Sequence, residues 1–496
     1  MDVRIHDLLV RAALVSPSGI GATMGDEART FAELDAGSNR AAHRLMGEGV
    51  QPGDRVAWWG PSALDALELG YGISKAGATL SPVNPHFTEP EAVAALETLA
   101  PRLVVAHPDV ADAAHAAADP LGVPILVMHH GWADGAATAS PPRVGTSEDP
   151  SVVFLTSGST GVSKGAMISH RAAWLRAVQR DSETGATQRR GAVVMFGLFH
   201  MSGWSMIEGA WAIDRPVHLV TRAEPAALLG AVERWRATGL YCIPSVWERV
   251  LADDGTYDTS SLVEANTGTS LVSLDLLHAL KARFPGSWTS IAYGSTEIGR
   301  GATLLDPDLF THPGSVGQPP PMTLADLSPD GELWLRGPTM FSGYLDRPDA
   351  TAEAIDEQGW FHTGDLATRD ADGFLTITGR RSESIRSGGE WVTPLEVEVA
   401  VGTHPAVAEV AVVGLPDASW GELVCAAIVV RPGASLPTVA ELRAHVAGTL
   451  VGPKQPRVVV EVDALPRTDA TGQIRRRRLR DTLVADGVAA PGERVS

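Results

Sequence analysis

The sequence predicts an α/β protein with a large N-terminal body and a smaller α+β unit behind it. Three observations carry that prediction. Strand-like and helix-like runs alternate along the chain, as in folds where helices cover sheets. At 496 residues the chain is longer than one hydrophobic core sustains, so more than one domain is expected. A polar run, Arg380-Arg381-Ser382-Glu383-Ser384, follows an alternating strand and precedes a self-sufficient set of elements.

Residues 56–59 read as a buried strand after the turn Gln51-Pro52-Gly53-Asp54. Residues 62–76 have helical periodicity, and 79–83 are strand-like again. The theme repeats at 103–106 and 124–128. From about 131 to 150 the chain is rich in Ala, Gly, Ser and Pro, a surface connection. Residues 191–196, 217–220 and 240–243 look like further core strands. No internal repeat of 20–50 residues is present. Residues 373–378 alternate like a hairpin strand and place the domain boundary at Gly379-Arg380, giving domains 1–379 and 380–496. The second contains a helix at 394–401, strands at 407–414 and 422–430, a helix at 439–450 and a strand at 457–462.

A hydrophobic content of 44% with 20% charged residues is that of a soluble globular enzyme. The net charge of −19 argues against nucleic acid or an anionic membrane as the main partner. Two cysteines far apart, Cys242 and Cys425, suggest no disulfide framework and fit a reducing cytoplasm. The start, Met1 to Leu9, is amphipathic with early acids and lacks the layout of a signal peptide. No run of about 18 apolar residues appears, so no membrane span or stable insertion is expected. The 15 histidines fall in no metal-ligand spacing, and His129-His130 reads as a solvated loop.

The most informative stretch is Thr156-Ser157-Gly158-Ser159-Thr160-Gly161-Val162-Ser163-Lys164-Gly165. Glycines let the backbone approach a ligand closely, and successive N–H groups in such a turn make an anion-binding nest. Hydroxyls and an ammonium add donors for phosphate oxygens. It is not a Walker A loop, because glycine follows the lysine and the next residues read as a strand. The run resembles the phosphate loop of the adenylate-forming superfamily: acyl-CoA synthetases, luciferases and peptide-synthetase adenylation domains. Ser163 stands where proline is usual. Further stretches follow in that family's order: Tyr293-Gly294-Ser295-Thr296-Glu297, Gly331 to Gly337, Gly359 to Leu366, Gly379-Arg380 to Trp391, and Leu465-Pro466-Arg467 to Ile474. The pattern is nearest to fatty-acyl and aryl acid–CoA ligases. It implies a body of several subdomains with a mobile C-terminal lid, and a nucleotide held at their seam.

The resemblance implies the chemistry. A carboxylic acid is joined to AMP, pyrophosphate leaves, and a thiol displaces AMP from the acyl group. ATP, Mg²⁺ and CoA are the implied cofactors, and a small carboxylic acid is the substrate. ATP is anionic, so its site must be locally positive or work through Mg²⁺ and backbone donors. The loop Ser157–Lys164 should hold the β- and γ-phosphates. Thr296 offers a hydroxyl to the α-phosphate, and Glu297 is the implied Mg²⁺ ligand. Tyr293, next to Gly294, is placed to stack on adenine, with a core tyrosine as the alternative. Asp365 accepts from the ribose hydroxyls, and Arg380 adds a fork of donors to the same sugar or phosphate. His200, in Phe199-His200-Met201-Ser202-Gly203-Trp204, would lie near the carboxylate, or else be a satisfied core histidine. Trp204 and the turn Thr267-Gly268-Thr269-Ser270 would line the acid pocket. The hydroxyls of Thr269 and Ser270 point to a polar or aryl acid rather than a long alkyl chain. Gly388, Gly389 and Trp391 resemble the loop lining the pantetheine tunnel, Trp391 being otherwise a core residue of the lid.

Two positions depart from the pattern. Gln473 stands where the family carries the lysine that bridges carboxylate and α-phosphate. Arg467 and the run 475–478 are near in sequence, although the run reads better as a solvated helix face. Ser382 and Glu383 occupy the hinge, where a small serine still absorbs a φ/ψ change. The alternatives to a CoA ligase are adenylation with another acceptor, such as nitrite activated for an aryl amine or a carrier protein, or a weakened acyl-AMP binder. The acid and the oligomeric state stay open, a homodimer being one option.

Overall fold

The computed structural model describes residues 2–156, 163–184, 191–468 and 472–488. The chain condenses into two units, one of Met1–Ala325 with Leu335–Phe361, the other of Asp326–Trp334 with His362–Ser496.

The first unit carries two sheets. In the seven-stranded sheet the order is Gly343–Tyr344, Lys164–Ser169, Pro150–Thr156, Thr79–Val83, Arg55–Trp59, Leu103–Ala106 and Ile125–Val127. The last five of these run parallel. Parallel strands are covered on both faces, and every residue of Thr79–Val83 is buried accordingly. Ala57, Trp59, Val104 and Ala106 pack with Leu96 and Leu99 of the helix Glu89–Leu99 in one core. The eight-stranded sheet runs Gly299–Leu304, Ile291–Ser295, Glu264–Gly268, Gly239–Tyr241, Ala192–Val194, Val217–Leu219, Ile20–Met24 and Glu27–Thr30. Helices begin where capping chemistry permits. Thr30 and Glu33 form a capping box at Phe31–Gly47, as Thr88 and Glu91 do at Glu89–Leu99.

The expected strands of this unit are present within a residue or two of their predicted bounds. The helix predicted over 62–76 is Leu64–Lys75, because Ala63 is still extended. No helix or strand lies between Val127 and Pro150, as the composition of that stretch predicts.

The second unit holds most of a four-stranded sheet, Leu324–Leu327, Glu332–Arg336, Phe361–Arg369 and Leu375–Arg380. It also holds a five-stranded sheet built around Gly421–Val430. Period-2 alternation sorts that strand's side chains. Val424, Ala426 and Ile428 face a core with Val397, Val401 and Leu442. Cys425 and Ala427 face another core with Leu479 and Leu483. Leu479 and Leu483 belong to the helix Arg476–Ala485, on which the arginine run lies. That run is not uniformly a solvated face. Arg476 is half-buried and donates to both oxygens of Glu398, at 3.0 and 2.7 Å, and to Glu383 at 2.8 Å. The hairpin of Ile385–Ser387 with Glu390–Val392 is an element the sequence pattern does not announce.

Each unit holds one of the two cysteines, buried and unbridged. Burial raises both thiol pKa values, Cys425 to about 12. Among the described residues no helix is long and apolar enough to cross a membrane.

Candidate active site

The hydroxyl- and glycine-rich loop is anchored by a β-ladder. Pro150–Thr156 and Lys164–Ser169 pair antiparallel, with Leu155 opposite Gly165 and Thr156 opposite Lys164. The Thr156 hydroxyl donates to the Lys164 carbonyl at 3.3 Å. Both loop ends are thereby fixed side by side. Ser157, Gly158, Ser159, Thr160 and Gly161 lie outside the described residues. The short strand Gly343–Tyr344 adds to the same ladder, Tyr344 opposite Ala166. The Lys164 ammonium sits 4.9 Å from the centroid of the Tyr344 ring, a cation–π contact.

Thr296 and Glu297 occupy the turn of the hairpin Ile291–Ser295/Gly299–Leu304. A register shift between Tyr293 and Gly294 brings position 294 so close to its partner strand that a Cβ would lie 1.9 Å from the Gly299 carbonyl oxygen. Only glycine fits there. Tyr344 Oη donates to Glu297 Oε1 at 3.0 Å. Burial and the facing carboxylate raise the Tyr344 pKa, so the phenol stays a donor. The Glu297 carbonyl accepts from Phe341 N at 2.6 Å and from Arg176 Nη2 at 3.1 Å. Arg176 Nε donates to the Thr339 carbonyl at 2.8 Å. One guanidinium thus joins the turn carrying Glu297 to the segment leading to Tyr344. Burial lowers the Arg176 pKa to about 10, which leaves it cationic at neutral pH. Burial pushes the Glu208 carboxyl up to about 8, against the pull of Arg176.

Beside this turn lies a cavity of about 120 Å³. Its wall includes Tyr293 and Gly294, Met201 and Ser205 from the helix Met201–Trp211, and Thr269, whose φ of +69° is left-handed. Ser270 is exposed at the adjoining bend and is not part of that wall. Trp204 turns the other way: its indole N–H donates to the Leu198 carbonyl at 2.7 Å, and its ring packs near Tyr71. His200 precedes the helix, half-buried, with its pKa lowered by desolvation to about 4. It is therefore neutral, and among the described residues its Nε2 meets no partner. A larger hollow of about 770 Å³ lies at the other end of the eight-stranded sheet, beside Thr23 and His218. It contains none of the motif residues.

In the second unit Asp365 stands opposite Arg380 in register, and Arg380 Nε donates to Asp365 Oδ1 at 2.9 Å. The neighbouring Thr363 hydroxyl donates to the Leu333 carbonyl at 2.7 Å and accepts from Asp365 N at 3.0 Å. Buried Glu332 takes the Gly364 N–H at 2.9 Å and Arg381 at 2.9 Å. The triplet Thr363-Gly364-Asp365 is therefore tied down along its backbone. Gly388 and Gly389 form a two-residue hairpin turn with φ of +61° and +87°, the geometry for which glycine is favoured. Trp391 is 64% exposed under the Arg386 guanidinium, so it is not a core residue of its unit. Gln473 is exposed, with its N–H on Thr468 Oγ1 at 3.0 Å and its carbonyl accepting from Thr468 N at 2.8 Å.

The structure thus gathers Thr156, Lys164, Thr296, Glu297 and Tyr293 around the ends of two hairpins of one unit. Tyr344 and Arg176 belong to that group and were missed in the sequence. A lone Gly-Tyr pair carries no pattern. Arg176, however, breaks the buried stripe of Ala172, Ala173 and Ala177, and a charge in an apolar helical register is a readable signal. No cluster of three or more His, Cys, Asp or Glu that could cage a metal occurs among the described residues. A single carboxylate, Glu297, fits Mg²⁺ of the kind held mainly by substrate phosphates.

Two family models match the chain: AMP-binding enzyme over residues 10–345, and AMP-binding enzyme C-terminal domain over 396–471. A feruloyl-CoA synthase of Amycolatopsis is 34% identical, the match covering 94% of this chain and 98% of that one. The solved structure of ATP-bound MatB from Rhodopseudomonas palustris superposes with a TM-score of 0.89 at 27% identity, covering 97% and 99% of the two chains. The o-succinylbenzoate CoA synthetase of Bacillus subtilis, in complex with its acyl-adenylate intermediate, gives 0.87 at 25% identity over the full length of both.

Proposed function

The chain belongs to the family of AMP-binding enzymes, and from that premise we propose how its residues work as an ATP-dependent acid–CoA ligase. The observation that supports this reading best is the Lys164–Tyr344–Glu297 cluster at the foot of the loop Ser157–Lys164. In the first half-reaction a carboxylate oxygen bonds to the α-phosphorus of ATP, the bond to the bridging oxygen breaks, and pyrophosphate leaves. Such a step depends on positioning and charge stabilisation. The loop and Lys164 take the β- and γ-phosphates, and the Thr296 hydroxyl takes the α-phosphate. Glu297, held by Tyr344 Oη, takes Mg²⁺, which supplies charge neutralisation when bound. Tyr293 stacks on adenine, and Asp365 with Arg380 serves the ribose. His200, neutral, meets the acid's carboxylate end as a hydrogen-bonding group rather than a cation.

In the second half-reaction the CoA sulfur attacks the acyl carbon, AMP leaves, and the thiol proton passes to solvent or phosphate. Gly388, Gly389 and exposed Trp391 flank the pantetheine arm, since two glycines and a flat ring suit a thin chain. Gly379-Arg380 is the pivot we assign between domains 1–379 and 380–496. Two free buried thiols suit a reducing cytoplasm, which is our placement of the enzyme.

The test is ATP–pyrophosphate exchange and thioester formation over a panel of acids with CoA. AMP and pyrophosphate are the expected products. ADP with orthophosphate, or no nucleotide uptake by calorimetry at millimolar ATP and magnesium, overturns the reading. Glu297→Ala should abolish Mg²⁺-dependent exchange with an unchanged circular dichroism spectrum. Full exchange activity in that variant removes Glu297 as the metal ligand. Thioester on a carrier protein but not on CoA would change the acceptor while leaving the adenylation step intact.

A further inference from the structure

The ladder that anchors the phosphate loop is tied to the Glu297 turn by one buried arginine. The helix His170–Thr184 begins at the residue after the strand Lys164–Ser169, so its position follows the loop's outgoing strand. Arg176 lies on this helix and is 8% exposed. Its Nη2 donates to the Glu297 carbonyl at 3.1 Å and its Nε to the Thr339 carbonyl at 2.8 Å. The guanidinium reaches them across bare backbone. A Cβ at residue 299 would lie 2.9 Å from Arg176 Nε, and Gly299 holds a φ of +76°, which glycine adopts without strain.

These contacts close a ring. Thr339 leads to Tyr344, which pairs with Ala166 on the strand Lys164–Ser169 and donates to Glu297 Oε1 at 3.0 Å. Arg176 fixes the backbone of residue 297, Tyr344 fixes its carboxylate, and both refer Glu297 to the same strand. A buried guanidinium is a costly way to fill space. In the buried stripe of Ala172, Ala173 and Ala177 an apolar side chain of similar length packs without giving up hydration. The Glu297 carbonyl also accepts from Phe341 N at 2.6 Å, so its own satisfaction does not require the arginine. What the arginine adds is a fixed place for the turn. A metal held by substrate phosphates and one carboxylate depends on where that carboxylate stands.

We propose that Arg176 is a positioning residue for adenylation: it holds the Glu297 turn at a set distance from the phosphate loop's outgoing strand, and thereby sets the affinity for magnesium nucleotide. The proposal rests on the ligase reading and adds a residue to that same site. Arg176 also borders the cavity beside Tyr293, so the test separates metal positioning from acid binding.

The experiment compares the full chain with Arg176→Met and Arg176→Lys. Calorimetry reads ATP uptake with and without Mg²⁺. ATP–pyrophosphate exchange reads the magnesium requirement and the KM for the acid. Thioester formation from synthetic acyl-AMP and CoA reads the second half-reaction. Groups that orient a metal ligand typically matter about 10- to 100-fold to metal affinity or activity. Arg176→Met should therefore raise the magnesium concentration for half-maximal exchange by about tenfold or more, and weaken ATP uptake in the presence of magnesium to match. Uptake of ATP alone, the KM for the acid and the thioester step should each stay within about twofold. Arg176→Lys keeps the cation but loses the fork, and should fall between the two. If the circular dichroism spectrum shows that Arg176→Met does not fold, Arg176→Lys carries the same comparison. An unaltered magnesium titration, a rise in the KM for the acid in its place, or an equal fall in both half-reactions overturns the proposal and leaves the ligase reading standing. No ATP uptake by the unsubstituted chain fails that reading and takes the proposal with it.

Discussion

Replacing Gln473 with lysine should accelerate adenylation selectively. The substituted side chain is exposed, and both backbone groups of residue 473 are bound to Thr468. Gln473→Lys therefore changes what the side chain offers and leaves those two backbone bonds in place. A neutral amide donor contributes about 0.5–1.5 kcal/mol to a phosphate or carboxylate oxygen, and a charge-assisted donor about 1.5–3 kcal/mol. The difference, about 1–1.5 kcal/mol, corresponds to roughly five- to twelvefold in rate at about 1.4 kcal/mol per decade. It applies only to the step in which carboxylate and α-phosphate carry the growing charge. Exchange of labelled pyrophosphate into ATP reads that step. Thioester formation from synthetic acyl-AMP and CoA reads the other. The variant should gain about fivefold or more in the first and change less than about twofold in the second. An unchanged exchange rate, or equal gains in both, refutes the reasoning and returns residue 473 to the surface.

Two further outcomes follow from the geometry. Tyr344→Phe removes the 3.0 Å bond to Glu297 Oε1 and should weaken Mg²⁺-dependent exchange by about tenfold, chiefly as a higher magnesium requirement; an unaltered magnesium titration rejects the contact as functional. Stability should depend on His6 and His170, which burial holds neutral down to about 3 and about 4. These folded-state values are depressed, so the unfolded chain alone takes up protons below about pH 6.5, and stability falls as pH falls, by about 1.4 kcal/mol per unit and per group. Glu208 and Glu68, pushed up to about 8 and about 7, act in the opposite sense. The signature is therefore a difference: His170→Asn should lose less denaturation midpoint than the parent between pH 7 and pH 5, and parallel curves refute it.

The strands were legible where burial on both faces forces an apolar run, as at Thr79–Val83 and Arg55–Trp59. Gln473 was legible as a departure because ordered motifs frame it. What stayed hidden depends on contacts far apart in sequence. Tyr344 matters through a carboxylate 47 residues away, and Arg176 through a carbonyl 121 residues away. Trp204, read as a pocket wall, belongs to the core because its helix turns Met201 and Ser205 to the cavity instead. The arginine run looked uniform, yet helical geometry directs Arg476 onto both Glu398 and Glu383. Local pattern specifies elements; the rotation of an element decides which of its residues reach the chemistry.

The sealed thiols have a practical side. An enzyme that handles free coenzyme thiol in quantity is exposed to mixed-disulfide formation, which begins with attack by, or on, an accessible thiolate. Cys242 and Cys425 are both enclosed and both protonated at physiological pH. The folded protein is thereby silent toward thiol-reactive dyes, and the consumption of CoA can be followed directly in the cuvette, every change in colour belonging to the substrate.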